Sequence, residues 1–585
     1  MIVNVIHRPM KGKLYEMFRL QQDMAHGLGL KVTILVQYDF MFMPEVVEDI
    51  LRDHQEYGDE IGIWVNGLNS GKIQDVISAK EFFLWLHTKE NKEKIIKAHI
   101  DKFKETFSFE PATFGSYHMD AVSMKILHEL CPSAKVSIAG CFEEGVKVFH
   151  GCNNSWYLFN EGMPWGPWYP SKENSLRPAE DESEWCGIVG VPHLSRDMVL
   201  SYEGRNDFFA SHPANVQRAM ANEGAIAPYA LNLLDTYRFQ ERYNDGFSYT
   251  NVFVGPNWLS GSINVQDSDV ITQGLYYEYL EYYAKLQSEG KLVSMHMSEF
   301  ADWYVKHIPI GQAQVFDAKE ILYGSKKEYF WYCNSNMRIT FDMFQGGSIG
   351  DWRPFVAKQS RCTGADMPDK MMGSNPYLIH SQYRSGNAHH FADGARSTFL
   401  LEYQGEVLDL ANYATKVERV TREEEVVIVD LKEVPLSFKA GVEVELKTRI
   451  LIYPDGRIGF DRQIISSSDH DAVFVATEYV KGCYGTTEYP ENMEGICLSV
   501  EKEGKSDSVM FNYEGRILEL EQAECVSADI PVLETQVSLR QKAGDFLSGK
   551  VKEGYMFNPY YTLCQTAQIS FWKGVVTELC LKKRI

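Results

Sequence analysis

The feature that most constrains this chain is a change of hydrophobic period roughly halfway along it. In the first part, short apolar runs alternate with longer stretches whose apolar residues recur at helical spacing. Candidate strands are 2–6, Val32–Gln37, Glu60–Val65, Ala112–Ser116, Lys135–Ala139, Gly187–Pro192, Tyr249–Gly255 and Leu292–His296. Helical stretches occupy 13–28, 44–54, 90–107, 119–130 and 269–289. In 90–107 the stripe is Ile95, Ile96, His99, Ile100, Phe103 and Phe107. Beyond residue 318 or so the pattern turns to period two. Val442–Tyr453 runs into Pro454-Asp455-Gly456 and then Arg457–Ile465, a hairpin around an Asp-Gly turn. Glu425–Leu431 and Arg396–Tyr403 read as further strands.

Strands separated by crossover helices demand a parallel sheet, because a parallel neighbour is reached only through a long connection. Seven or eight of them favour a barrel over an open doubly wound sheet. The expected architecture is therefore an α/β (β/α)7-8 barrel over 1–317, followed by an all-β, sandwich-like domain over 318–585. In such barrels the chemistry sits at the C-terminal ends of the strands. One connection, 140–186, is long, weakly periodic and rich in Gly, Asn, Pro and Trp. Loops of that length inside a compact domain tend to be functional.

Charge narrows the partners. The formal net charge is −22, which repels phosphate backbones and anionic lipid, so neither nucleic acid nor a membrane is expected as a partner. Aromatic residues make up 13% of the chain, which suits stacking on sugar rings and equally suits large cores. The 11 cysteines show no C-x-x-C spacing. No apolar run is long enough to span a bilayer. A soluble protein is expected, either cytoplasmic or exported after loss of a leader. Several motifs fail. No G-x-G-x-x-G follows a strand, and no G-x-S-x-G or H-E-x-x-H occurs. Gly67-Leu-Asn-Ser-Gly-Lys72 lacks the spacing of a phosphate loop and continues with Ile73 where a magnesium-binding hydroxyl would stand.

Three N-terminal pieces, read in order, resemble the polysaccharide deacetylase (NodB-like) superfamily and its related glycoside hydrolases. Val32-Thr-Ile-Leu-Val36 resembles the family's second strand. Tyr57-Gly-Asp-Glu-Ile-Gly-Ile-Trp64 resembles its third. Phe109–Asp120 resembles its fourth, followed by a helix containing Ile126-Leu127. The resemblance covers about 1–310 as an order of elements, and extends to uncharacterised barrel proteins carrying a C-terminal β-domain. It departs from the family at the metal positions. His7-Arg8-Pro9 stands where paired aspartates follow the first strand, and Trp64, Val65 and Asn66 stand where two histidines follow the third. The resemblance thus speaks for the fold more than for metal-dependent deacetylation.

Residues at the strand ends form the candidate site: His7, Arg8, Asp39, Asn66, His118, Asp120, Glu143, Glu144, His193, His296 and Glu299. Glycosidic hydrolysis needs one carboxylic acid for the leaving oxygen and one carboxylate to attack or activate water. Asp120 with Glu143 is the expected pair, Glu299 the substitute, and His296 a further catalytic candidate. In the related hydrolases the nucleophile also ends the fourth strand. His7, Arg8 and Asn66 are expected to bind substrate. Trp165, Trp168 and Tyr169, stiffened by prolines, are expected to form a stacking platform, with Tyr202, Glu203, Arg205 and Asp207 as a polar rim. His118 and Asp120, two apart in extended backbone, could hold a divalent metal such as zinc with His7 or His296. Asp351-Trp352-Arg353 is the expected β-domain loop toward the cleft.

A plainer role stands beside each. Asp120 could cap the following helix, His296 could be a buried histidine bonded to a carbonyl, Glu143 and Glu144 could be solvated, Arg8 could pair with a neighbouring carboxylate, and the aromatic loop could fold on itself. Two functions compete: a hydrolase on an oligosaccharide or polysaccharide (glycosidase or atypical deacetylase), and a barrel that only binds sugar. A metal-dependent isomerase or hydrolase of another barrel type is a third.

Overall fold

Residues Met1–Gln312 build one compact unit, and the strands from Gln314 onward build a second. The structure, a computed structural model, describes all residues except 66–70, 79–83, 85–86, 117–118, 120, 140–164, 176, 193–194, 196, 204–227, 261–268, 322, 358–377, 381–395, 483–494, 557 and 585.

The first unit is a mixed α/β layer structure. Its strands are β1 (Ile2–His7), β2 (Val32–Gln37), β3 (Glu60–Trp64), β4 (Thr113–Gly115), β5 (Val136–Ile138), β6 (Val189–Val191), β7 (Tyr249–Val252) and β8 (Val293–Ser294). Its helices are α1 (Lys13–Gly27), α2 (Pro44–Tyr57), α3 (Lys89–Phe107), α4 (Ala121–Leu130), α5 (Met198–Glu203), α6 (Pro228–Phe239), α7 (Pro256–Leu259), α8 (Asp269–Ser288) and α9 (Met297–His307). Local chemistry sets their limits. Pro44 opens α2 and Gly58, at φ 78°, ends it. Thr88 caps α3 by accepting from the Asn91 N–H.

All eight strands are parallel, in the order β6-β5-β4-β3-β2-β1-β7, with β8 beside the start of β1. The expected full barrel is seen as a half-barrel: no ladder joins β6 to β7 among the described residues. Side chains span that opening. Asn251 donates from Nδ2 to the Pro192 carbonyl at 2.7 Å and accepts from the Ser195 N–H at 3.0 Å. The Thr250 hydroxyl donates to Ser195 Oγ at 2.9 Å.

The period of two divides each strand between two environments. Ile2, Ile6, Leu35, Trp64, Val136, Ile138, Val189, Val191, Tyr249 and Phe253 share one buried cluster on the inner side. Gly115 makes room for Leu35 and Trp64, and Gly62 for Leu35 and the backbone of β4. A Cβ on Gly115 would meet Leu35 at 3.0 Å and the Trp64 ring at 3.1 Å, and one on Gly62 would meet the Thr113 carbonyl oxygen at 2.6 Å.

Helix α9 closes the end of the sheet at which the strands begin. The Met297 N–H donates to Thr33 Oγ1 at 3.1 Å, and the Ser298 N–H reaches both Glu60 carboxylate oxygens at 3.3 Å. Lys135, just before β5, pairs with Asp302 at 2.7 Å. Phe300 packs on Tyr249, the first residue of β7, with ring centroids 4.6 Å apart. The C-terminal ends of the strands are therefore the end that α9 leaves uncovered, the open end.

The second unit is antiparallel. A five-stranded sheet runs β13-β12-β11-β10-β9, from β9 (Gln314–Lys319), β10 (Glu328–Cys333), β11 (Met337–Asp342), β12 (Ser348–Pro354) and β13 (Ile379–His380). A six-stranded and a ten-stranded sheet follow. Phe399, Leu401, Phe474 and Ile569 of the former share a core with Val434, Leu436, Val444, Leu446 and Ile464 of the latter, the packing of a β-sandwich. The expected hairpin is Glu443–Ile452 with Arg457–Ser467, and Gly456 takes φ 91° in its turn. Asp351-Trp352-Arg353 is not a loop. It lies within β12, fully buried, and Arg338 and Arg353, opposite each other in register, both pair with Asp351. Among the described residues no helix is long and apolar enough to cross a membrane.

Candidate functional site

Alternation decides which residue of each pair at a strand end reaches the open end. His7 and Arg8 are neighbours, so they point to opposite sides. Arg8 follows Ile6 to the inner side. Its guanidinium lies 4.8 Å from the Trp64 ring centroid and 6.0 Å from that of Phe253. All three residues are buried. A guanidinium stacked on indole is held flat, with its N–H groups in the plane of the stack.

His7 turns the other way, into the helical layer. Its Nδ1 bonds to Gln22 Oε1 of α1, and its Nε2 to the Tyr276 hydroxyl of α8 at 3.0 Å. Gln22 continues the chain to Asp59 at 2.7 Å, and Asp59 also binds His26 at 3.0 Å. Burial pushes the His7 imidazole down to about 4, outweighing the Gln22 hydrogen bond and the charge of Asp53. His7 therefore does not join Arg8, contrary to the expected convergence.

Asp39 sits beyond β2 at the open end. It accepts from Lys11 Nζ at 2.6 Å and from the Gly71 and Lys72 N–H groups at 3.1 and 3.0 Å. It thereby fixes the start of the short 3-10 turn Lys72–Asp75.

His296 and Glu299, expected at the same mouth, lie at the opposite, closed end. Glu299 accepts from the His296 N–H at 3.3 Å, as a residue three into a helix does for its cap, and pairs with Lys31 at 2.7 Å. Lys31 precedes β2, which marks the level. The His296 ring is lowered from the usual histidine value by burial. The signal was present in the sequence: a Glu three after His296, then Met297, Phe300, Ala301 and Tyr304 on one helical stripe. β8 is only two residues long, so the chain turns into α9 before reaching the open end.

The aromatic segment is structure rather than platform. Trp165, Trp168 and Tyr169 are 2%, 1% and 4% exposed. Trp168 bridges to Gly190 of β6 in antiparallel fashion and donates from Nε1 to the Ser175 carbonyl at 2.8 Å. A side chain at Gly190 would meet the Trp168 ring at 2.9 Å. Tyr169 donates to the Ile308 carbonyl at 2.6 Å, just past the end of α9. Tyr202, expected on a polar rim, is buried.

Asn66, His118, Asp120, Glu143, Glu144, His193, Arg205 and Asp207 lie outside the described residues, as do the metal ligands expected at His118 and Asp120. Among the described residues no three His, Cys, Asp or Glu side chains group to hold a metal. Sequence reasoning missed Phe253 and the Ser195–Asn251 pair at this end, and Glu60 at the other. Glu60 accepts from Thr33 at 2.9 Å and Thr113 at 2.6 Å as well as from the start of α9. The period-two pattern of β7 would have put Asn251 and Phe253 on the side of Tyr249.

No protein-family model and no curated protein matches this sequence. Among solved structures, a protein described as a glycoside hydrolase/deacetylase from Parabacteroides distasonis is similar at 12% identity over 65% of this chain and 90% of that one, with a TM-score of 0.47. A polysaccharide deacetylase from Mycobacterium smegmatis is 12% identical over 55% of this chain and 94% of that one, with a TM-score of 0.29. A 4-alpha-glucanotransferase from Thermococcus litoralis is 10% identical over 100% of both chains, with a TM-score of 0.29.

Proposed function

We propose that this chain is a carbohydrate-active hydrolase, a glycosidase or an atypical deacetylase, whose site lies at the C-terminal end of its parallel sheet. The observation that carries the reading is the asymmetry of the half-barrel. α9 closes one end, and Arg8 stands at the other, flat on Trp64. In sequence, Asn66 stands two residues after β3, His118 and Asp120 fall between β4 and α4, and Glu143 follows β5; these positions supply the carboxylates and the histidine of the proposed site. The proposed chemistry is general acid–base work by Asp120 and Glu143 on a glycosidic or acyl bond, with Arg8 and Asn66 binding substrate oxygens. A zinc-class metal on His118 and Asp120 would supply a polarised water to the deacetylase variant.

A sugar-binding protein without turnover is the second reading. One observation favours it: Trp64 and Arg8 together fill the place where the resemblance calls for metal-binding side chains. The test is a panel of neutral oligosaccharides and their N-acetylated counterparts, read for new reducing ends and for released acetate, with added zinc or with chelator. Turnover lost in Asp120→Asn supports the hydrolase. Binding without either product, weakened in Arg8→Ala, supports the second reading and overturns the first.

A further inference from the structure

The sandwich of the second unit carries an aromatic group that its own folding does not explain. Strands Asn558–Ser570 and Val575–Lys583 are joined by a turn closed by Ser570 and Lys573, whose N–H groups donate to each other's carbonyls at 3.0 and 3.2 Å. This leaves Phe571 and Trp572 as the two residues at the tip. Two-residue tips favour Asn, Asp or Gly, because the matching turns need positive φ. Neither Phe571 nor Trp572 has positive φ, so turn chemistry does not account for aromatics here. Phe571 packs against the sandwich core. Trp572 does not: it is 75% exposed, the most exposed of the large apolar side chains among the described residues. It is nevertheless held in place. His470, from the neighbouring turn, stacks on Phe571 with centroids 4.3 Å apart and planes 8° apart, and Trp572 stands nearly perpendicular to both, at 82° to Phe571 and 79° to His470.

We propose that Trp572, braced by Phe571 and His470, is a stacking surface for a pyranose ring of a neutral glycan, separate from the half-barrel. A pyranose presents an apolar C–H face with hydroxyls around its edge. An exposed indole supplies the face, at little cost in ordering because its rotamer is already braced. The surroundings supply the edge and select the charge. Asp469 and Asp471 are exposed on the His470 turn, and Asp545 is exposed beside the tip. The local cation, Lys573, is tied to Asp545. Carboxylates accept from sugar hydroxyls and repel anionic lipid, phosphate and acidic glycans. This argues for an uncharged ligand over a membrane surface.

The test is titration of the full chain with linear hexaoses of glucose (α- and β-linked), N-acetylglucosamine, xylose and mannose, followed by calorimetry and by tryptophan emission. At least one should bind and shift the emission to the blue. Trp572→Ala should weaken it about tenfold or more, and Trp572→Tyr should retain most of it. Arg8→Ala should leave this component intact. Because Trp572 is exposed, its removal should not move the thermal midpoint, and that midpoint is the folding control. The proposal is overturned if no hexaose binds, if binding survives Trp572→Ala, or if Arg8→Ala alone abolishes it. It is equally overturned if Trp572→Ala instead dissociates an oligomer in sedimentation or abolishes binding to phosphatidylcholine or phosphatidylglycerol vesicles.

Discussion

The Arg8 guanidinium lies 4.8 Å over the Trp64 ring, one residue beyond the strand that sends His7 in the opposite direction. A buried cation stacked on indole contributes up to about 2 kcal/mol. Arg8→Lys keeps the charge and loses the planar stack. It should lower unfolding stability by about 1–2 kcal/mol, measured by urea titration, and should weaken ligand binding at the open end more than Lys11→Ala does.

Acid should destabilise the first unit through two buried histidines. His7 and His99 are both pushed down to about 4 by burial, against 6.5 when unfolded. The unfolded chain then binds protons that the folded chain refuses. This stability is fully present above pH 6.5 and is lost as pH falls toward 4. Between pH 7 and pH 5 each histidine should cost about 2 kcal/mol. Urea midpoints across that range should fall, and His99→Leu should flatten the slope. An unchanged slope in that variant would remove His99 from the account.

Two glycine substitutions should have opposite signs. Gly62→Ala places a Cβ 2.6 Å from a backbone oxygen, so it should destabilise by about 1–3 kcal/mol. Gly274→Ala, on α8 with nothing within 4 Å, should stabilise by about 0.5–1 kcal/mol. Calorimetric midpoints of the two variants decide both.

Glu299→Gln tests the closed end. Its ion pair with Lys31 is solvent-exposed, so the loss should stay below about 1 kcal/mol, with no change in any turnover or glycan binding. A large loss of activity at unchanged stability would put chemistry at the end that α9 covers.

Tyr169→Phe should separate packing from display. It removes the hydroxyl that reaches the Ile308 carbonyl and should cost about 1–2 kcal/mol, while leaving sugar affinity unchanged.

The sequence by itself determined the order of the parallel strands. Seven of the eight parallel strands fall within a run legible from the apolar pattern, β1 extends one residue past its run to His7, and the hairpin at Gly456 was legible from its Asp-Gly turn. These are local properties, set by side-chain period and backbone conformation, and a period survives in one dimension. Tertiary structure decided which side and which end each candidate occupies. Strand parity separated His7 from Arg8, the two-residue length of β8 left His296 and Glu299 under α9, and Gly190 opened the space that buries Trp168. Such outcomes depend on where a strand stops relative to its neighbours and on what packs against it. Register and packing arise between segments distant in the chain, so no single stretch of sequence records them.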